Sequence, residues 1–305
     1  MARYALKRLL VGLVCLLGVS LIIFVAVRLT GDPTDLLLPE DASDADRVAL
    51  QAELGLDRPL PVQYAIFLKG AAQGDFGKST RWRQPAMELV LNRLPATLQL
   101  SALAFSIAMV LGLLGGVTSA RLRGSAFDQV VKVGVTFGLA VPVFWLGLML
   151  ILAFAVGLGL FPTSGRGGFA AMVLPAVTMA LNPAAAMSRL SRSAMLNVLG
   201  ADYIKMARVK GNSEARVVWK HGLKNAAIPL VTLAGIQLAN MVGNTVVVET
   251  IFAWPGIGKL IVDAIYARDF AVVQAGICVV SAIYILLNIA VDLVYGVLDP
   301  QIRYD

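Results

Sequence analysis

Six long apolar runs constrain the fold of this chain more than any other feature. Each run holds about 18 or more residues without a charge, enough to cross a hydrocarbon core of roughly 30 Å as an α-helix. Only 15% of all residues are charged, against about 25% in an average soluble domain. We therefore predict an all-α membrane protein with six transmembrane helices, at Leu9–Val27, Ala96–Ala120, Val133–Leu160, Ala170–Met187, Ala226–Val248 and Ala271–Val291.

Two of these runs have unusual features. Arg3, Lys7 and Arg8 precede the first run, as in a cleaved secretory signal. The apolar stretch of such a signal is about 7 to 15 residues long, so the longer run here favours a retained helix. The third run is overlong and contains Pro142, which predicts a kink or break and places part of the run outside the bilayer.

The distribution of basic residues predicts the orientation. More than half of the 26 Lys and Arg residues lie before the first run, between the second and third, in the segment 189–224, and after the last run. Short loops rich in Lys and Arg stay on the cytoplasmic side, so both termini are predicted to be cytoplasmic. The same bias explains the net charge of +7 without nucleic-acid binding.

The predicted helices divide the chain into four regions. Residues 1–29 form the first transmembrane helix with its cytoplasmic N-terminus, 30–95 an extracytoplasmic loop or cap, 96–296 the transmembrane core and 297–305 a cytoplasmic tail. Within the core, 188–228 is a cytoplasmic loop and 249–270 an outer segment. In the outer loop, Ser43 to Asp46 form a helix-start pattern, and Gly55 can end that helix with a positive φ.

A glycine-rich stretch of the outer loop superficially resembles a phosphate-binding loop. Gly77, Lys78 and Ser79 match the end of that motif, but Ala72 stands where its first glycine is required. We predict no nucleotide site in this chain.

The cytoplasmic loop is patterned as two short helices. Asp202 is predicted to cap the first, Gly211 to end it, and Ser213 to cap the second. A helix of about eight residues does not hold together alone, so it must dock on its own protein or on a partner. The pattern alone leaves a partner contact and an anchor at the lipid headgroups equally open.

Residues of this loop resemble the signature of the peptide and nickel ABC-importer permeases. They are Asp202, Tyr203, Ala207, Arg208, Gly211, His221, Asn225 and Pro229. In that family the segment is the EAA loop, whose coupling helix inserts into the ATPase, so the resemblance implies that Ala207 lies on the docking face. Lys205 and Met206 replace the glutamate and first alanine of the general pattern. The resemblance covers nearly the whole chain, from Gly31-Asp32-Pro33 to Arg268-Asp269.

The resemblance implies a type I ABC-importer permease fold in a bacterial or archaeal plasma membrane. It also implies a heterodimer with a second homologous permease, surrounded by membrane lipid, together with two cytoplasmic ATPase domains and an extracytoplasmic solute-binding protein. ATP and Mg²⁺ belong to the ATPase subunits, so this chain is expected to hold no cofactor, metal or catalytic residue. The implied solutes are di- or oligopeptides, with glutathione or nickel chelates as alternatives.

Polar residues in the fifth run indicate a translocation path. Gln237, Asn240 and Asn244 recur at intervals of three and four, so they share one helix face. Amides at that depth are costly unless paired or hydrated, which favours either a path lining or interhelical hydrogen bonds. Asn182, beside Pro183, predicts a break in the fourth helix and a further path residue.

The outer segment cannot continue the fifth helix smoothly. Its turn-forming residues predict a turn or re-entrant element, and by resemblance this element closes the outer mouth or contacts the binding protein. The residues assigned to that role are Glu249, Trp254, Pro255, Gly256 and Gly258.

The sequence argues against two other functional classes, a secondary transporter and a membrane-embedded enzyme. A secondary transporter would show two repeated halves, and no such repeat is visible. A membrane-embedded enzyme would need a catalytic set, but the chain has a single histidine, His221, without metal-ligand or nucleophile spacing around it.

Overall fold

The computed structural model describes residues 2–29, 43–53 and 55–298, which form helices joined by turns and one isolated bridge between Lys78 and Pro85. The helices are α1 Ala2–Leu29, α2 Asp44–Glu53, α3 Leu60–Ala72, α4 Ala86–Arg121, α5 Ala126–Ala140, α6 Val143–Leu150, α7 Phe169–Leu199, α8 Asp202–Val209, α9 Glu214–Gly243, α10 Thr245–Ile251, α11 Ile257–Tyr266 and α12 Phe270–Leu298. The α6 helix continues as a π-helical stretch, Ile151–Gly157.

Five of these helices, α1, α4, α7, α9 and α12, are long and apolar enough to cross a membrane. The third predicted run is instead a bent pair, α5 with α6 and its π-helical extension, whose axes differ by 110°. The bend falls at Val141 and Pro142, so the predicted break at Pro142 is confirmed. Counting the bent pair as one span gives the six predicted crossings.

Several helices extend beyond the apolar runs that predicted them. The α4 helix begins at Ala86, inside the region predicted as the outer loop, and carries Pro95. The α7 helix continues past Met187 to Leu199. The last helix reaches Leu298, within the predicted tail. Residues 30–42 of the outer loop and 299–305 of the tail lie outside the described residues.

The predicted break at Asn182 and Pro183 is wrong, because α7 is one continuous helix with Pro183 inside it. Close packing on α4 supports α7 around this point. A Cβ on Gly112 of α4 would lie 2.7 Å from the carbonyl oxygen of Ala184, so only glycine permits the backbones to approach this closely. The helix pair forms the centre of the bundle, where Leu100 and Ala180 are buried.

Polar contacts fasten the first helix and the outer loop. Arg8 Nη1 pairs with Asp292 Oδ2 at 3.1 Å and joins α1 to α12. In α2, Asp46 N donates to Ser43 Oγ at 3.2 Å and Ser43 N donates to Asp46 Oδ2 at 3.1 Å, so the predicted capping pattern is confirmed. The Ser43 hydrogen bonds hold the pKa of Asp46 below its usual value. Gly55 has a φ of +67°, as predicted.

Candidate functional site

The amide side chains assigned to the path line one cavity. The cavity has a volume of about 220 Å³ and is also lined by residues of α6 and α10. Its amides are Asn182 of α7, Gln237 and Asn240 of α9, and Asn244 directly after α9. The spacing of the α9 amides places them on one face, as the sequence predicted. Their convergence is therefore confirmed, and their use by a solute stays a prediction.

The amides around this cavity are only weakly engaged with the protein. Asn182 Nδ2 donates to the Gly138 carbonyl oxygen at 3.4 Å, and the Tyr284 hydroxyl lies 3.4 Å from Asn240 Oδ1. Hydrogen bonds of this kind are usually about 2.7–3.0 Å long. Asn244 lies between α9 and α10, and it is exposed. The amide groups thus retain capacity for a bound solute or water.

The outer segment is a helix–turn–helix element, α10 and α11, organised around a buried carboxylate. Glu249 is fully buried, and its Oε1 accepts from Thr97 Oγ1 at 2.7 Å. Its Oε2 accepts from the backbone N–H of Lys259 at 2.9 Å. Ile257 N donates to Thr97 Oγ1 at 2.9 Å, so both helices of the element are held on α4. Burial raises the pKa of Glu249, and these hydrogen bonds oppose that shift.

Trp254 anchors the turn of this element. Its side chain is fully buried, and Nε1 donates to the Ala96 carbonyl oxygen of α4 at 2.9 Å. Because Glu249 and Trp254 lie inside the chain, their side chains do not form a surface for another protein in this conformation. A gating role for the element stays a prediction.

The two glycines of the element are required by space. Gly256 has an extended backbone, with a φ of −96°, which any residue can adopt. A Cβ at Gly256 would overlap the Glu249 carboxylate, and one at Gly258 would lie 2.7 Å from Val246 Cα. Pro255 completes the turn and is half-buried. The need for glycine therefore comes from close approach and not from left-handed turn geometry.

The cytoplasmic loop differs from its prediction at Asp202 and in the length of its second helix. The α8 helix begins at Asp202 and is preceded by Ala201 in extended conformation, so Asp202 is not the cap; its carboxylate pairs with Lys205 at 2.8 Å. Gly211 has a φ of +79°, as predicted. Ser213 stands at the predicted N-cap position, although its side chain makes no capping hydrogen bond. The helix that follows is the long α9, because a π-helical stretch, Val217–Gly222, continues directly into the membrane-spanning part.

The expected orientation of Ala207 is wrong. Ile204 and Ala207 are buried against Val217 within the chain, so they face inward. The opposite side of α8 exposes Tyr203, Met206 and Val209, with exposed fractions of 46%, 59% and 81%.

The other signature residues of the loop make contacts within the chain. Arg208 Nε pairs with Glu214 Oε1 at 2.6 Å across the turn after α8. Asn225 Nδ2 donates to the His221 carbonyl oxygen at 2.8 Å, and Pro229 lies inside α9. These contacts shape the start of α9.

A buried ion cluster at the cytoplasmic end was missed by the sequence analysis. Asp128 of α5 is fully buried, and Arg192 of α7 donates to it from Nε at 2.8 Å and from Nη2 at 3.0 Å. Ser119 Oγ, Gly124 N and Lys132 Nζ also contact this carboxylate, at 2.5, 3.0 and 3.1 Å. The cluster joins α4, α5 and α7. Its local signal was the Ser-x-x-Asp capping pattern at Ser125, whose Oγ accepts from Asp128 N at 3.2 Å.

Two family models together match the chain from residue 1 to residue 304. The family model described as "Binding-protein-dependent transport system inner membrane component" matches residues 98–304, and "Binding-prot-dependent transport system membrane comp, N-term" matches residues 1–101. The chain is 41% identical to the di/tripeptide transport system permease protein DppB of Pseudomonas aeruginosa, over 94% of each. It is 40% identical to the glutathione transport system permease protein GsiC of Escherichia coli (strain K12), over the whole of both.

Among solved structures, the fold resembles a chain of the MetNI methionine ABC transporter in an inward-facing conformation. The TM-score is 0.55 at 21% identity, covering 70% of this chain and 97% of that chain. This likeness supports the fold.

Proposed function

This chain belongs to the binding-protein-dependent transport system inner membrane component family, and we propose that it forms, with a second homologous permease, the path by which an ABC importer moves peptides. The family match decides against the secondary-transporter alternative. The observation that carries the proposal is the cavity lined by Asn182, Gln237, Asn240 and Asn244.

The chemistry of this cavity suits peptides. Each amide side chain both donates and accepts hydrogen bonds, as does each peptide group of a solute. The residues lining the cavity are amides and apolar side chains, so the lining selects weakly by solute charge. The di/tripeptide and glutathione permeases among its relatives support a peptide or peptide-like solute, with nickel chelates as the remaining alternative.

The exposed face of α8 suits a protein partner. Tyr203, Met206 and Val209 form an apolar stripe on the cytoplasmic side. Apolar side chains grouped on the exposed face of a short helix mark a docking surface. We place one of the two ATPase domains there, with ATP and Mg²⁺ bound by the ATPases. A solute-binding protein delivers the peptide from outside the bacterial or archaeal plasma membrane.

A pair of charge changes on α8 tests this docking face. Met206→Glu places a charge in the apolar stripe, whereas Lys205→Glu changes a neighbouring exposed charge. In proteoliposomes containing the complete importer, we expect Met206→Glu to abolish uptake, with the ATPase either lost on purification or hydrolysing ATP without transport. Lys205→Glu should retain most uptake.

The reverse ranking would indicate a headgroup anchor, because an anchor depends on the basic side chains. Wild-type uptake by Met206→Glu would contradict docking through this stripe.

A further inference from the structure

A second cavity, of about 490 Å³, lies between the middle of α5 and the cytoplasmic end of α7. It is outside the amide cavity and shares no lining residue with it. Its lining combines three cations, Lys132, Arg189 and Arg192, with three aliphatic side chains, Val131, Val135 and Leu196.

The cavity carries excess positive charge, and two of its three cations are held by an ion pair. Asp128 bonds to Arg192 and Lys132, so the positions of these two side chains are fixed before any ligand arrives. Arg189 makes no ion pair with the described residues, and its side chain is exposed. Three cations face one carboxylate, which leaves the cavity positive. Preorganised cations lose little conformational freedom when they bind an anion.

The position of the cavity matches the phosphate level of the inner leaflet. Lys132 immediately precedes one apolar run, and Arg189 follows the end of another at Met187. The boundary between the apolar part of a spanning helix and the cytoplasm is where lipid phosphates lie.

We propose that this cavity binds the phosphate group of an anionic phospholipid of the inner leaflet, with Arg189 as its principal free cation. The aliphatic side chains Val131, Val135 and Leu196 favour an amphiphile over a soluble phosphate, because they contact the glycerol and upper acyl carbons beside the cations. The site is independent of the proposed transport function.

The test uses the full chain purified in detergent with its co-expressed partner subunits. Native mass spectrometry measures the binding of phosphatidylglycerol and of phosphatidylcholine during titration. The variants are Arg189→Gln, Arg189→Lys and, as a charge-matched control outside the cavity, Lys224→Gln. Lys132 and Arg192 are left unchanged because they support the buried Asp128.

We expect phosphatidylglycerol to bind more tightly than phosphatidylcholine. Arg189→Gln should weaken phosphatidylglycerol binding by about fivefold, the factor that corresponds to one cation near the membrane surface. Arg189→Lys should retain most of the affinity, and Lys224→Gln should match the wild type.

Equal affinity for the two lipids, or equal effects of Arg189→Gln and Lys224→Gln, would overturn the proposal. A competition arm with inorganic phosphate separates the two sources of phosphate. Displacement of phosphatidylglycerol by millimolar inorganic phosphate would assign the site to a soluble anion and would also overturn it.

Discussion

The contact between Gly256 and the buried Glu249 carboxylate makes Gly256→Ala a sharp test of the outer element. The added Cβ would lie 2.5 Å from Glu249 Oε2 and closer still to Oε1. Because Glu249 is fully buried, its carboxylate can move only by leaving Thr97 or the Lys259 N–H. The methyl group therefore breaks at least one of these hydrogen bonds or displaces the turn.

The size of the effect follows from two contributions. A hydrogen bond to a charged group contributes about 1.5–3 kcal/mol, and overpacking a tight site costs about 1–3 kcal/mol. These costs overlap because relief of the clash breaks the bond. We expect Gly256→Ala to lower the free energy of unfolding by about 3 kcal/mol.

Thermal unfolding read by a thiol-reactive dye measures this change. Cys278 is 8% exposed, so its thiol reports unfolding, and a Cys15→Ser background removes the exposed thiol. Gly167→Ala is the matched control, because a Cβ there meets nothing within 4 Å. We expect a clear drop in the melting temperature for Gly256→Ala and no change for the control.

A double variant tests the cause of the destabilisation. In a Glu249→Ala background the carboxylate is absent, so Gly256→Ala should cost much less than it does in the wild type. Equal melting temperatures for Gly256→Ala and Gly167→Ala, or fully additive effects in the double variant, would refute the argument.

Three further predictions concern the other parts of the site. Asp128→Asn should lower the melting temperature clearly in the same assay, because it weakens the charge-assisted hydrogen bonds that Arg192 and Lys132 make to a fully buried side chain, whereas Asp202→Asn at an exposed pair should change it little; equal effects would contradict this. Asn240→Leu and Asn244→Leu should slow peptide uptake in proteoliposomes without loss of assembly, whereas Asn288→Leu, outside the cavity, should leave uptake unchanged. Unchanged uptake for the first two variants would contradict the assignment of the path. Burial raises the pKa of Glu249 in the folded protein above its unfolded-state value near 4.5. The stability that comes from this shift is fully present below the unfolded-state pKa and is lost as pH rises through the folded-state pKa. The melting temperature of the wild type relative to Glu249→Gln should therefore fall with rising pH, and a constant difference would argue against it.

The features predicted correctly from the sequence are those with local causes. Apolar length predicts the spanning helices, and Pro142 breaks a helix because it lacks the N–H and clashes with the preceding turn. The Ser43 capping pattern and the positive φ of Gly55 and Gly211 are also short-range effects.

The features that were missed depend on distant contacts. Pro183 does not break α7, because α4 packs closely against it across Gly112. Asp128 and Arg192 are far apart in the sequence, so no local sequence pattern predicts that they pair.

The orientation of α8 shows why a short helix is difficult to predict. Apolar residues occur on both of its sides, so hydrophobic periodicity does not decide which side is buried. The decision comes from Val217, which begins the π-helical stretch of α9 and packs on Ile204 and Ala207.

This packing gives the proposed coupling a physical route. A partner that moves the exposed face of α8 also moves Ile204 and Ala207, which lie against the start of α9. The same helix carries Gln237 and Asn240 at the amide cavity, so a displacement of its start would be passed along the helix toward the cavity. Since the π-helical stretch joins the two parts of α9, the proposed route from the start of α9 to the cavity contains no loop. Burial of Ala207 is therefore compatible with a place in the coupling signature, with Ala207 packing α8 on α9 while Tyr203, Met206 and Val209 would face the proposed partner.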